Sequence, residues 1–158
     1  MIVVSNTTPI ISLVSIGKVD LLEQIFGKII IPKAVYNEIK QKKSYGFDDI
    51  DKSFFEIKEI SEPKYLDLLL KDVDIGEAEA ILLSKELNSD ILIIDERIGL
   101  DLANLNNIFC VGTLTVLKIA KDNKLIDNVK PLLDEMILKG RYYSINVYNK
   151  FLSKIGEL

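Results

Sequence analysis

Short runs of consecutive apolar residues recur along the chain, separated by stretches where apolar residues return every three or four positions. Residues 2–5, 29–31, 91–94 and 108–111 are largely β-branched and apolar on both faces, the pattern of strands buried in a parallel sheet. Residues 54–60 alternate apolar and charged, as in Phe55-Glu56-Ile57-Lys58, and predict a half-exposed strand. Pro9 suits the first turn of a helix continued by Ile10, Ile11, Leu13 and Val14. Further helices are predicted over residues 20–26, stopped near Gly27, and from Pro32 to about residue 43, with Val35 and Ile39 on the inner stripe. Residues 62–71, 74–87, 98–105, 114–121, 129–138 and 145–152 complete the helical set, with 74–87 the strongest.

Strands alternating with helices require right-handed crossovers and a parallel sheet covered on both faces, an α/β architecture. The expectation is one domain over residues 1–158, with the helices from about residue 128 as an appended helical part. No repeat, low-complexity tract or linker interrupts it. In such sheets ligands bind beyond the carboxyl ends of the strands. That directs attention to Asn6, after the first strand, and to Asp95, after the strand at 91–94.

Composition narrows the chemistry. There is no histidine, which removes Ser-His-Asp and Cys-His catalysis and imidazole ligands together. Cys110 is the one cysteine, so no internal disulfide forms, and its apolar surroundings predict a buried core thiol. Catalysis would have to run on carboxylates, hydroxyls, lysines or a bound metal. The net charge of −4 argues against a surface that grips nucleic acid all over, but leaves room for a local basic patch or a cation. No apolar run reaches the roughly 18–20 residues of a membrane span. The chain starts directly in a strand-like segment, without a basic leader, and the expected location is the cytoplasm.

Four positions stand out: Asn6, Glu38, Glu77 and Asp95. Asp95 ends an apolar strand and would point into the crevice, and Glu96 as a second acid in the same turn favours that role over a cap for the next helix. Glu77 lies in Asp74-Ile75-Gly76-Glu77-Ala78-Glu79-Ala80. Asp74 with Glu77 reads as a capping box, while small Gly76, Ala78 and Ala80 allow another group to approach closely. Glu79 should face away from Glu77. Glu38 sits between Val35 and Ile39 and could pair with Lys42 in the favourable order. Asn6, Thr7 and Thr8 form a polar turn that also reads as an Asx-turn and helix cap.

Taken in order, these segments resemble the PIN-domain family, metal-dependent ribonucleases that include the VapC-type toxins. Val3-Val4-Ser5-Asn6-Thr7-Thr8-Pro9 is similar to that family's first strand and its exit. Ile31-Pro32-Lys33-Ala34-Val35-Tyr36-Asn37-Glu38-Ile39 matches the helix carrying a glutamate. Gly76-Glu77-Ala78-Glu79-Ala80-Ile81 matches the acid that opens a long helix, and Ile93-Ile94-Asp95-Glu96-Arg97 the acid that ends the next strand. The tail Lys130-Pro131-Leu132-Leu133-Asp134-Glu135 is similar to that of a prokaryotic PIN-like subgroup.

The resemblance implies a three-layer α/β/α fold around a parallel sheet of four to five strands. It implies an endoribonuclease that hydrolyses RNA phosphodiesters with Mg²⁺ or Mn²⁺, hard cations that prefer oxygen ligands. Asn6, Glu38, Glu77 and Asp95 would be the metal ligands, the last three also catalytic. Thr7, Thr8 and Arg97 would meet substrate, with Lys118 and Lys121 as further candidates on a helix face that is otherwise solvated. It also implies a toxin–antitoxin role, a small antitoxin partner and a homodimer, for which the apolar helices near the C-terminus, such as 129–138, would offer a self-association face. Asn6 departs from the family, which carries Asp there. An amide oxygen still ligates a hard cation, but one negative charge is lost. The alternative is therefore a weak or inactive relative that binds nucleic acid without cleaving it.

Overall fold

A computed structural model describes residues 1–158. Five strands form one parallel sheet: β1 (Val3–Ser5), β2 (Ile29–Pro32), β3 (Phe55–Lys58), β4 (Ile91–Ile93) and β5 (Cys110–Val111). Their order is β3-β2-β1-β4-β5, so the chain winds outward from β1 to one edge and then to the other. Register pairs Val4 with Ile30 and with Leu92, and Ser5 with Ile93. The ends of β1 and β4 are therefore level, and the residues that follow them, Asn6 and the Asp95-Glu96 pair, emerge side by side.

Nine helices cover this sheet: α1 (Thr7–Ser15), α2 (Asp20–Phe26), α3 (Lys33–Lys40), α4 (Leu66–Leu69), α5 (Ile75–Leu87), α6 (Arg97–Leu105), α7 (Thr113–Asp122), α8 (Lys130–Leu138) and α9 (Ile145–Lys154). The result is the three-layer α/β/α architecture. Successive strand side chains point to opposite faces, and the core divides accordingly. Val3, Ile29, Ile31, Ile93 and Val111 join a cluster of 23 buried residues with α1, α2, α7, α8 and α9. Val4, Ile30, Leu92 and Ile94 join a cluster of nine with α5 and α6.

Two expectations change. The helix expected over 62–71 is broken into a 3₁₀ turn at Pro63–Tyr65 and the single turn α4. Leu68 there is 64% exposed, so little packing is available to extend a segment too short to hold itself helical. The apolar stripe of α8 is not an open face: Val129, Leu133 and Met136 are buried in the chain's own core. No helix is long and apolar enough to cross a membrane.

Candidate functional site

The site lies at the carboxyl ends of β1 and β4, closed in by α3 and α5. Asn6 precedes α1 in an extended conformation, but its side chain does not cap the helix. Its amide nitrogen instead donates to Glu96 Oε2 at 3.0 Å. A carboxylate can only accept, which fixes the amide with nitrogen toward Glu96 and oxygen away from it. Asn6 is 2% exposed, and Oδ1 is buried with no hydrogen-bond partner. Buried acceptors are rarely left unpaired.

The carboxylates around Asn6 come from three elements. Glu38, on α3, accepts a 2.6 Å bond from Thr7 Oγ1 rather than pairing with Lys42. Glu96 also accepts from Thr8 Oγ1, so two consecutive residues of the Asn6-Thr7-Thr8 turn, together with Asn6, aim two acids. Asp74 caps α5 by accepting from the Glu77 backbone N–H at 2.9 Å, the capping role expected of it. Its carboxylate does more than cap. A Cβ built on Gly76 would lie 3.1 Å from Glu38 Oε2 and 3.5 Å from both Asn6 Oδ1 and Asp74 Oδ1. Oxygens from three separate segments thus surround one point that only glycine leaves open.

Glu77 is 8% exposed. Burial is the main cause that lifts its pKa to about 7, helped by the charges of Asp74, Glu96 and Glu38. The nearby negative charges add to burial because like charges disfavour another ionised carboxylate beside them. No three of them form a ready-made ligand set as they stand. Glu79 faces away, accepting from the Ala34 backbone N–H at 3.1 Å.

Asp95 stands apart from this group. Its oxygens accept from Thr113 N at 2.7 Å, Thr113 Oγ1 at 2.6 Å and Arg141 Nη1 at 2.8 Å. Arg141 Nη1 also donates to Ser12 Oγ at 2.9 Å, and the guanidinium lies over the Tyr143 ring. Strand alternation explains the division. Ile93 faces the larger cluster and Ile94 the smaller one. Asp95 continues the first side, and Glu96 continues the side shared by Val4 and Asn6. The structure therefore brings together Asn6, Glu38, Glu77, Asp74 and Glu96, and leaves Asp95 on the α7 side. Asp74 is expected from its motif as a cap and Glu96 as a second acid beside Asp95, and the period-two alternation running out of β1 and β4 is what sets Glu96 on the Asn6 side.

Of the expected substrate residues, Thr7 and Thr8 orient carboxylates. Arg97 opens α6 with its side chain 89% exposed, in a loose 3.7 Å pair with Asp101. Lys118 pairs with Asp122, and Lys121 with Glu157, away from the crevice. Burial pushes the Cys110 thiol up to about 11, which leaves it unreactive.

The set fits a hard divalent cation. All its donors are oxygens, one buried acceptor is unpartnered, and burial, with help from neighbouring charges, raises the pKa of one carboxyl to about 7. A family model described as a PIN domain matches residues 2–157. Comparison with curated proteins, and with solved structures, gave no significant match.

Proposed function

The chain belongs to the PIN-domain family, a nuclease-type fold, and from that premise we propose that it is a metal-dependent endoribonuclease. The observation that carries this reading is the unpartnered Asn6 Oδ1, buried among the carboxylates of Glu38, Asp74, Glu77 and Glu96. Asn6, Glu38, Glu77 and Glu96 would hold Mg²⁺ or Mn²⁺, with Asp74 completing the acidic wall. Asp95 takes a positioning role in place of the ligand role expected from its motif, because its lone pairs are already engaged by Thr113 and Arg141. Such an ion supplies a lowered pKa to a bound water and charge stabilisation to a phosphate.

The protein's own groups do the rest. Thr7 Oγ1 holds Glu38, and Asn6 Nδ2 and Thr8 Oγ1 each hold one oxygen of Glu96, so both acids are aimed before substrate arrives. Glu77, poised near neutral pH, releases its carboxyl proton when positive charge enters the site. The exposed Arg97 guanidinium at the rim is free to meet a phosphate, since its pair with Asp101 is long and solvated. On the resemblance alone, the reading extends to the toxin of a toxin–antitoxin pair. It would act in the cytoplasm as a homodimer and be silenced by a small antitoxin protein.

Incubating the pure protein with structured and unstructured RNAs, with Mn²⁺ or with chelator, tests the proposal. Metal-dependent cuts lost in Glu77→Gln support it. The missing charge at Asn6 favours a second reading, a relative that holds RNA without cutting it. Metal-dependent retention of intact RNA would select that reading.

A further inference from the structure

A chain of recesses leads away from the acidic site. One, of about 350 Å³, is bounded by Glu38, Asp74 and Gly76 of the site and by Lys33, Asn37 and Gln41 of α3 and its continuation. Glu38 and Gln41 also line a second recess of about 300 Å³, which they share with Ile11 and Tyr45. Ile11 and Tyr45 in turn wall a third, of about 210 Å³, that reaches Thr8, Ser12, Lys139 and Arg141. Since Thr8 holds Glu96, the path leaves the carboxylates on one side and returns to them on the other.

Tyr45 is the common wall of this path and of a further recess beside Lys43. It is 40% exposed, and neither its hydroxyl nor its ring is engaged by another side chain. The turn that carries it is fixed. Lys40 Nζ donates to Phe47 O at 2.6 Å and sits over the Phe47 ring. Gly46 has φ +93°, and a Cβ there would press on Ile39 at 3.2 Å. Lys33, Lys42, Lys43 and Lys139 line these recesses, and none of the four makes an ion pair. Unpaired cations beside a rigid, open aromatic ring, in a chain of negative net charge, match the chemistry of a nucleotide: phosphates for the lysines, a base face for the ring.

We propose that Tyr45 forms a subsite for one unpaired nucleotide, stacking its base while Lys42 and Lys139 take the neighbouring phosphates. The proposal rests on the reading of the acidic site as an RNA phosphodiesterase, and places the bound strand around Tyr45 next to it. A base within a duplex has both faces covered by its neighbours, so the subsite selects unpaired RNA.

The test is binding of a short unstructured RNA, followed by fluorescence anisotropy with chelator present so that no turnover occurs. Tyr45→Ala should weaken binding about tenfold, and Tyr45→Phe should bind within about twofold of the parent, because stacking needs the ring and not the hydroxyl. Lys139→Ala should lower the slope of log affinity against log salt by about 0.7. A fluorescent base analogue in the strand should be quenched by the parent and by Tyr45→Phe, but not by Tyr45→Ala. The same sequence as a duplex should bind weakly and ignore Tyr45. Equal binding by the parent and Tyr45→Ala, or equal losses in Tyr45→Phe and Tyr45→Ala, would overturn the subsite. Mn²⁺-dependent cleavage by the parent, measured alongside, separates the two readings. Cleavage with Tyr45-independent binding removes the subsite and leaves the nuclease. Tyr45-dependent binding without cleavage keeps the subsite and counts against hydrolysis.

Discussion

The Asn6 amide and the Glu96 carboxylate, 90 residues apart in sequence, meet through a 3.0 Å hydrogen bond that turns Asn6 Oδ1 into a buried, unpartnered acceptor. This pairing turns Glu96 toward Asn6, while its neighbour Asp95 is held by Thr113 and Arg141, and the proposed metal site therefore takes Glu96 as its ligand. Glu96→Gln should weaken Mn²⁺ binding at least about tenfold, in line with loss of a charged ligand in a small oxygen set. Asp95→Asn should change Mn²⁺ affinity little. Calorimetric titration of the two variants checks this, and a larger loss in Asp95→Asn would reverse the assignment.

Glu77 makes stability depend on pH in a defined direction. Its pKa moves from 4.5 to about 7 in the folded protein. Below about 4.5 the group is protonated in both states, and its contribution is intact. As pH rises from 4.5 to 7 the unfolded chain gives up the proton while the folded chain keeps it, so stability is lost across that window. At 1.36 kcal/mol per unit the loss is on the order of 3 kcal/mol. Glu77→Gln should remove it, leaving the metal-free variant more stable than the parent at pH 8 and similar at pH 4, as read by urea unfolding in chelator. Mn²⁺ binding to the parent should strengthen up to about pH 7 and then level off, because binding displaces that proton.

Two glycines hold the site open. A Cβ on Gly99 would sit 2.8 Å from Ile94 Cδ1 and 3.0 Å from Glu77 Oε2. Gly99→Ala should therefore destabilise by about 1–3 kcal/mol through overpacking. Gly76→Ala meets Glu38 Oε2 at 3.1 Å, an oxygen that would have to shift a few tenths of an ångström on its Thr7 bond, with Asn6 Oδ1 at 3.5 Å. It should fold nearly as well but bind Mn²⁺ more weakly, since the methyl fills the space the oxygens surround. Thermal melts with and without Mn²⁺ distinguish the two effects, and a Gly76→Ala variant stabilised by Mn²⁺ as much as the parent would remove that space from the site.

The sheet was readable because buried parallel strands are continuous apolar runs, and Ile29-Ile30-Ile31 and Ile91–Ile93 have no other use. Asn6 and Glu77 drew attention from their positions at a strand exit and a helix start, whereas Glu38, inside α3, was assigned to the site only through the family resemblance. The motif pointed to Asp95, with Glu96 as a second acid beside it, because adjacent acids look alike until the alternation of Ile93 and Ile94 between two core clusters assigns each a face. Asp74 was hidden by its own good fit as a helix cap, a role it does fill. Arg141 carries no signal at all: its partners Asp95 and Ser12 are 46 and 129 residues away, a distance only the folded chain closes.

That long-range contact makes Arg141 a stability determinant. The Asp95 side chain is 8% exposed and that of Arg141 18%, so removing one partner strands a largely buried charge. Arg141→Met should destabilise by about 2–4 kcal/mol, somewhat below the loss typical of a fully buried pair because Thr113 still serves Asp95. Adding Asp95→Asn to that variant should recover part of the loss. Urea midpoints of the two single variants and the double variant give the coupling, and purely additive effects would mean the pair contributes nothing.

Asn6→Asp is the sharpest single change. In the metal-free protein it removes the donor that holds Glu96 and sets a new carboxylate against it, with Glu38, Asp74 and Glu77 close by. Like charges this near destabilise, so the variant should melt below the parent in chelator. A dication reverses the balance. At an effective dielectric of about 20, one added unit charge at 4 Å is worth on the order of a few kcal/mol before desolvation. Mn²⁺ should then bind at least about tenfold more tightly and raise the melting temperature by more than it does for the parent. RNA cleavage should rise with it if Glu38, Glu77 and Glu96 are sound. Were Asn6 only a turn former, Asp would serve as well at a helix start and nothing dependent on metal would change. The structure already weighs against that, since the Asn6 side chain does not cap α1. Titrating Mn²⁺ into both proteins by calorimetry decides the matter: equal affinities would place Asn6 outside the metal site, leaving its buried Oδ1 without a function.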